Sequence, residues 1–142
     1  GANAPSLTLP PSSTGFVDPA TGAVSLLNIL VAIDHRPSAA RAVATVANLA
    51  ANLGATGAIF HLLHVGASFP ETPVPDAIAA RVRRRQQAGG VVEAIVDTAA
   101  EVEADLIVMA TRGHDSLLDS LRGSTTEQVL RNSERPVLAV PA

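Results

Sequence analysis

The stretch from Ala110 to Thr125 holds the residues best suited to chemistry. Ala110-Thr111-Arg112-Gly113-His114 leaves an apolar run, and Arg122-Gly123-Ser124-Thr125 leads into a helical pattern. Glycines here let a backbone approach a ligand closely. Free N–H groups and the positive end of a helix favour an anion. The Ser124 and Thr125 hydroxyls add short donors, Arg112 and Arg122 add positive charge, and His114 adds a ring nitrogen. The chemistry implied is the cradling of a phosphate-bearing ligand. Ser124 also has a plainer role, since Glu127 three residues on completes a capping box.

A second group is Asp34, His35, His64 and His114, each at or just past the end of an apolar run. Imidazoles with a carboxylate are metal-ligand chemistry. Their spacing forms no local ligand motif, so a phosphate contact by His114 is preferred and no metal site is assigned. No catalytic residue is assigned either. Asp34 and His35 are sequence neighbours that diverge in direction, and no base with a placed partner can be read from the spacing.

These residues need elements to position them. Ile29–Ile33 is a continuous apolar run, as in a strand buried on both faces of a parallel sheet. Helical spacing follows from Ser38 to Leu53, with Pro37 near its start and Gly54 past its end. Residues 58–65 form a second strand. Pro70, Pro73 and Pro75 then exclude a helix. Ile78–Arg85 alternates loosely and reads as a short, basic edge strand. Val92, Ile95, Val96, Ala99 and Val102 mark a second helix, Asp105–Ala110 a fourth strand, Ser124–Asn132 a third helix and Val137–Val140 a fifth strand. Residues 1–15 read as a flexible arm. Phe16–Leu26 reads as a small hairpin around Asp18-Pro19-Ala20-Thr21-Gly22. The expected division is an arm with a hairpin over 1–27 and one domain over 28–142.

Composition bounds the function. The chain has 142 residues, 47% apolar and 16% charged, with a net charge of −3 and no cysteine. This suits one globular domain and excludes disulfides, thiolate nucleophiles and cysteine-held zinc. All ten basic residues are arginine, which excludes Schiff-base chemistry and a P-loop lysine. An acidic balance without Trp or Tyr argues against nucleic acid. No apolar run reaches the roughly 20 residues of a membrane span, and the N-terminus lacks the pattern of a secretory signal. A cytoplasmic protein is expected.

Several segments resemble the universal stress protein family. They are Asn28-Ile-Leu-Val-Ala-Ile-Asp34, His61-Leu-Leu-His-Val65, Ala104-Asp-Leu-Ile-Val-Met-Ala-Thr-Arg-Gly113, Arg122-Gly-Ser-Thr-Thr-Glu-Gln-Val-Leu-Arg131 and Pro136-Val-Leu-Ala-Val140. The family's ATP-binding pattern G-x2-G-x9-G-[S/T] falls on Ala110, Gly113, Gly123 and Ser124, with alanine at its first glycine. The resemblance implies an α/β, flavodoxin-like fold. It has a five-stranded, mostly parallel sheet of order 3-2-1-4-5 in a three-layer sandwich, here without the helix between the second and third strands. It further implies an adenine nucleotide, ATP or AMP with Mg²⁺, in the crevice between the first and fourth strands. There Asp34 contacts the nucleoside, Val65 lines the base pocket, and the backbone at Gly113 and Gly123–Ser124 holds phosphates. The implied role is that of a stress-response sensor or regulator rather than an enzyme, with weak ATP hydrolysis at most.

Two departures frame the expectations. If the first glycine serves a positive φ, Ala110 costs on the order of 1 kcal/mol; if it serves close approach of the ligand, the methyl group narrows the pocket. The missing helix predicts thin cover and exposed apolar surface near the third strand. The last strand, Val137, Leu138, Ala139 and Val140, is expected at an open sheet edge, and the resemblance implies a homodimer through it. Ala110, the missing helix and the arm support an alternative, a dimeric interaction module of the same family that binds no nucleotide. The run Arg81-Val-Arg-Arg-Arg85 reads as a solvated edge in preference to an anion site.

Overall fold

The protein is described from a computed structural model, which covers residues 4–10, 15–112 and 125–142. Its strands are β1 (Ser6–Thr8), β2 (Asn28–Ala32), β3 (Ile59–Val65), β4 (Val82–Gln87), β5 (Leu106–Thr111) and β6 (Val137–Pro141). Its α-helices are α1 (Ala40–Asn52), α2 (Val91–Glu101) and α3 (Thr125–Asn132). The six strands form one sheet in the order β1-β6-β5-β2-β3-β4. All neighbours are parallel except β1 and β6. Without β1 this is the expected flavodoxin-like order.

The apolar runs dictate this arrangement. Ile29, Leu30 and Val31 are all fully buried, which a strand achieves only with a layer on each face. Ile29, Val31, Phe60, Leu62 and Val108 meet the Ala42, Val43, Val46 and Ala50 stripe of α1 on one face. Leu30, Leu63, Ile107 and Met109 meet Ala94, Ile95 and Ala99 of α2 and Val129 of α3 on the other. Helix α1 ends as its sequence demands. Gly54 takes φ +72°, the Gly54 amide bonds the Ala51 carbonyl, and the Ala55 amide bonds the Ala50 carbonyl. This is a Schellman closure.

The N-terminal segment differs from the expectation of a flexible arm. Ser6, Leu7 and Thr8 pair antiparallel with Ala139, Leu138 and Val137. Strand β6 is therefore no open edge, because β5 lies on one side of it and β1 on the other. The hairpin forms as expected, with Val17 bridging Val24 and the Ser25 amide bonding the Phe16 carbonyl. It buries Phe16 and Leu26 in the core beneath α1.

The region of the missing helix also differs. Residues 76–81 form a 3-10 helix rather than the start of a strand, and β4 begins at Val82. The physical reason is register: Val82 pairs with Phe60 near the start of β3, so earlier residues lack a partner strand. The expected exposed apolar surface is absent here. Ile78 is buried in the core on the α1 face, and Phe69 and Val74 pack against that core. The large apolar side chains exposed among the described residues are Leu7, Leu9, Val17, Leu27 and Val91, all elsewhere.

Candidate functional site

A cleft of about 600 Å³ opens at the carboxyl ends of β2, β3 and β5, within the range of small-molecule sites. Strand β2 has β3 on one side and β5 on the other, and the chain leaves these two neighbours toward different elements. This is the topological switch point at which open α/β sheets bind ligands. The sheet contributes Asp34, Val65, Ala110, Thr111 and Arg112, helix α2 contributes Val91 and Ile95, and α3 contributes Thr125, Thr126 and Gln128.

Five of the expected ligand residues thus meet in one cleft: Asp34, Val65, Ala110, Arg112 and Thr125. Gly113, His114, Gly123 and Ser124 lie outside the described residues, as does the capping box at Ser124. Glu127 pairs with Arg131 at 2.6 Å, one helical turn away.

Ala110 resolves one of the two readings of its position. It sits in regular β-structure opposite Val140. The one non-glycine residue with a positive φ among those described is Glu103. Alanine is therefore unstrained here, and the question reduces to its methyl group. Ala110 is half-buried, packs against the core beneath α1 and lines the cleft.

Asp34 is exposed, and one carboxylate oxygen accepts the His35 amide at 2.7 Å. The histidines near it hold backbone rather than each other's ligands. His64 donates from Nδ1 to the Ile33 carbonyl at 2.8 Å, and His35 donates from Nε2 to the Ser68 carbonyl at 2.9 Å. Their rings meet edge to face with centroids 5.3 Å apart. His64 is buried, and Gly66 crosses directly over it: a Cβ at Gly66 would lie 2.8 Å from His64 Nε2. With φ at +151°, this position requires glycine twice over. His64 thus acts as a strut under the Val65 wall of the cleft. Among the described residues no three His, Asp or Glu side chains come together as metal ligands.

Sequence reasoning missed Thr111. Its hydroxyl is buried, lines the cleft and has no hydrogen-bond partner among the described residues. A buried hydroxyl left unpaired costs about 1–3 kcal/mol. A donor or acceptor on a ligand would recover it. A period-two reading of Asp105–Ala110 already places position 111 toward α2 and α3, so the signal was there. Arg36 was also missed, and with Arg112 it adds positive charge to the cleft lining.

The basic run is largely spent on structure. Arg81 lies over the Phe60 ring at 5.5 Å and donates to the Ala58 carbonyl at 2.9 Å. Arg83 donates to the Ala80 carbonyl, and Arg85 pairs with Glu101 at 2.9 Å. Arg84 is exposed.

Comparison with known proteins agrees with this architecture. The sequence model of the universal stress protein family matches residues 74–141. No curated protein matches the chain. A universal stress protein from Archaeoglobus fulgidus DSM 4304 superposes with a TM-score of 0.64 at 29% identity, over 82% of this chain and 45% of that one. The chain therefore spans less than half of that protein's length. A universal stress protein solved in complex with cAMP superposes with a TM-score of 0.58 at 26% identity, over 80% of this chain and 95% of that one. A universal stress protein family protein from Arabidopsis thaliana, solved with AMP bound, shares the fold at 15% identity and a TM-score of 0.57, over 81% of this chain and 90% of that one. With a cleft at the switch point of a 3-2-1-4-5 sheet, the chain shares the fold of these universal stress proteins, and its residues 74–141 are similar to that family in sequence.

Proposed function

We propose that this protein binds an adenine nucleotide, ATP or AMP, in the cleft between β2 and β5 and acts as a regulator rather than as an enzyme. The observation that carries the reading is the convergence of Asp34, Val65, Thr111, Arg112 and Thr125 on one cleft at the switch point. The site suits a ligand with an apolar body and an anionic end. Val65, Ile95 and Met109 offer apolar surface for a base. Asp34 offers a carboxylate for ribose hydroxyls. Arg36 and Arg112 offer charge for phosphate, and Thr125 adds a hydroxyl at the start of α3. That one neighbour was solved with cAMP and a more distant one with AMP supports the same reading.

Mg²⁺ would enter with a polyphosphate as part of the ligand. In this reading the protein binds and reports nucleotide in the cytoplasm, with hydrolysis incidental. Among the described residues no helix is long and apolar enough to cross a membrane.

Equilibrium dialysis tests the proposal. The chain has no Trp or Tyr and three Phe, so nucleotide absorbance near 260 nm stands clear of the protein's own. Dialysis against ATP or AMP, each with and without Mg²⁺, should show close to one nucleotide per chain. Ala110→Gly should bind at least as well.

The second reading is a module that holds protein partners without nucleotide, and the Ala110 methyl in the cleft favours it. Nucleotide absent from the native protein but retained by Ala110→Gly would select that reading. The self-pairing of Val137–Val140 implied by the family resemblance requires an edge that β1 holds in this chain.

A further inference from the structure

Residues 66–75 join the end of β3 to the 3-10 helix at 76–81. Pro70, Pro73 and Pro75 leave this segment few backbone donors. Its start is pinned to β4: the Gly66 amide donates to the Gln87 carbonyl at 2.9 Å, and the Gly66 carbonyl accepts Gln86 Nε2 at 2.8 Å. Its end is closed by the Ile78 amide on the Pro75 carbonyl. Between these points the Thr72 hydroxyl turns back to the Pro70 carbonyl. Among the described residues, one hydrogen bond ties 67–75 to the rest of the chain, from His35 Nε2 to the Ser68 carbonyl at 2.9 Å. Phe69 and Val74 add apolar contact with the core on the α1 face.

The loop that supplies this bond also builds the cleft. Asp34, Arg36 and Pro37 line the cleft, while His35 between them reaches the segment. The His35 amide donates to the Asp34 carboxylate at 2.7 Å, so one residue holds both Asp34 and Ser68. His64 backs the same junction. It lines the cleft, bonds the Ile33 carbonyl at 2.8 Å, and meets the His35 and Phe69 rings edge to face at 5.3 and 6.0 Å.

A segment tied by one bond has two states, held and released. When it is held, loop 34–37 is fixed and a ligand meets a carboxylate already in place. When it is released, all three cleft residues of the loop lose that support. A ligand therefore binds the held state better, and this difference is what lets it shift the equilibrium. The coupling is reciprocal: whatever factor the held state adds to ligand affinity, the ligand returns to the hold.

On the strength of the nucleotide site proposed above, we propose that residues 66–75 form a strap that reports the occupancy of the cleft, with His35 as the positioning residue that couples the two. Bound nucleotide tightens the strap, and release of the strap weakens nucleotide binding. The exposed Glu71 and Pro73 carry the state to the surface on the α1 side.

A glutamate-specific protease tests this on the full-length chain. Cleavage after Glu71 follows the population of released strap when opening is fast relative to cutting. Cleavage after Glu103, exposed at the far end of the sheet, is the control in the same digest. ATP and AMP are the probes, each at the saturation found by dialysis. Bound nucleotide should slow the cut after Glu71 about fivefold or more and leave that after Glu103 unchanged. His35→Ala, with its fold checked by circular dichroism, should be cut faster after Glu71, bind nucleotide about fivefold or more weakly, and lose the slowing. His35→Gln keeps a side-chain N–H at similar reach and should restore all three.

Nucleotide that binds without slowing the cut after Glu71, or that slows both cuts alike, overturns the proposal and leaves the nucleotide site standing. A folded His35→Ala with native affinity does the same, as does His35→Gln behaving like His35→Ala. If neither nucleotide binds the native chain, the proposed function fails and the strap proposal fails with it.

Discussion

Asn28 and Asp105 hold each other across the start of two neighbouring strands. The Asp105 carboxylate accepts the Asn28 amide at 3.0 Å and the Leu27 amide at 2.8 Å, while the Asp105 amide donates to the Asn28 carbonyl at 2.7 Å. The two residues lie 77 positions apart in sequence. Their clasp aligns β2 with β5, the two strands between which the cleft opens at the far end. Asn28 extends the network, since its side-chain carbonyl accepts His61 Nε2 at 3.0 Å.

Asp105→Ala should remove two charge-assisted bonds and leave two backbone amides without them. The expected loss is about 1–3 kcal/mol, read as a drop in Tm of several degrees in a domain of this size. Asp105→Asn keeps one acceptor oxygen and should lose less. Equal losses in the two variants would show that the full carboxylate charge is required; no loss in Asp105→Asn would show that the charge contributes nothing to the clasp.

His61 makes stability pH-dependent. Burial, then the Arg85 charge, then the Arg83 charge hold its pKa below the ordinary 6.5. The folded state therefore resists protonation that the unfolded chain accepts. Stability from the neutral imidazole is complete above 6.5 and falls as pH drops from there through the lowered folded-state value. His61→Gln should flatten that part of the Tm-against-pH profile relative to the native protein. An unchanged slope would remove His61 as the cause.

Thr111→Val distinguishes the cleft as a site from the cleft as mere space. The substitution deletes a buried hydroxyl that has no hydrogen-bond partner among the described residues, at nearly constant shape. The free protein should gain about 1 kcal/mol in stability. If the hydroxyl bonds the nucleotide, affinity should fall about tenfold, the equivalent of 1.4 kcal/mol. Calorimetry and dialysis on the same preparations read the two effects separately, and opposite signs are expected.

Glu103 ends α2 in a conformation that glycine prefers. Its φ is +53°, with its amide on the Ala100 carbonyl and the Ala104 amide on the Ala99 carbonyl. The closure matches that of Gly54 after α1, but here a side chain pays the left-handed penalty. The side chain is also an acid at the negative end of a helix. Glu103→Gly should stabilise the protein by about 0.5–1 kcal/mol, seen as a higher Tm with no change in the cleft.

The main sheet was legible in sequence because its strands are buried on both faces, and only unbroken apolar runs such as Ile29–Ile33 and Leu106–Met109 survive there. Once those strands alternate with amphipathic helices, right-handed crossovers place the cleft at their carboxyl ends. Asp34, at the end of the first such run, follows from that, whereas Val65 and Ala110 were expected from the family resemblance. Tertiary structure decided the rest, because the deciding forces act between segments distant in sequence. Ser6-Leu7-Thr8 has too little local preference to declare itself a strand, and it becomes one because β6 offers unpaired backbone groups. Residues 78–85 read as one alternating strand, but 76–81 form a 3-10 helix, because pairing with β3 begins only where Val82 meets Phe60. Thr111 matters through what surrounds its hydroxyl, and a sequence lists the hydroxyl without its surroundings.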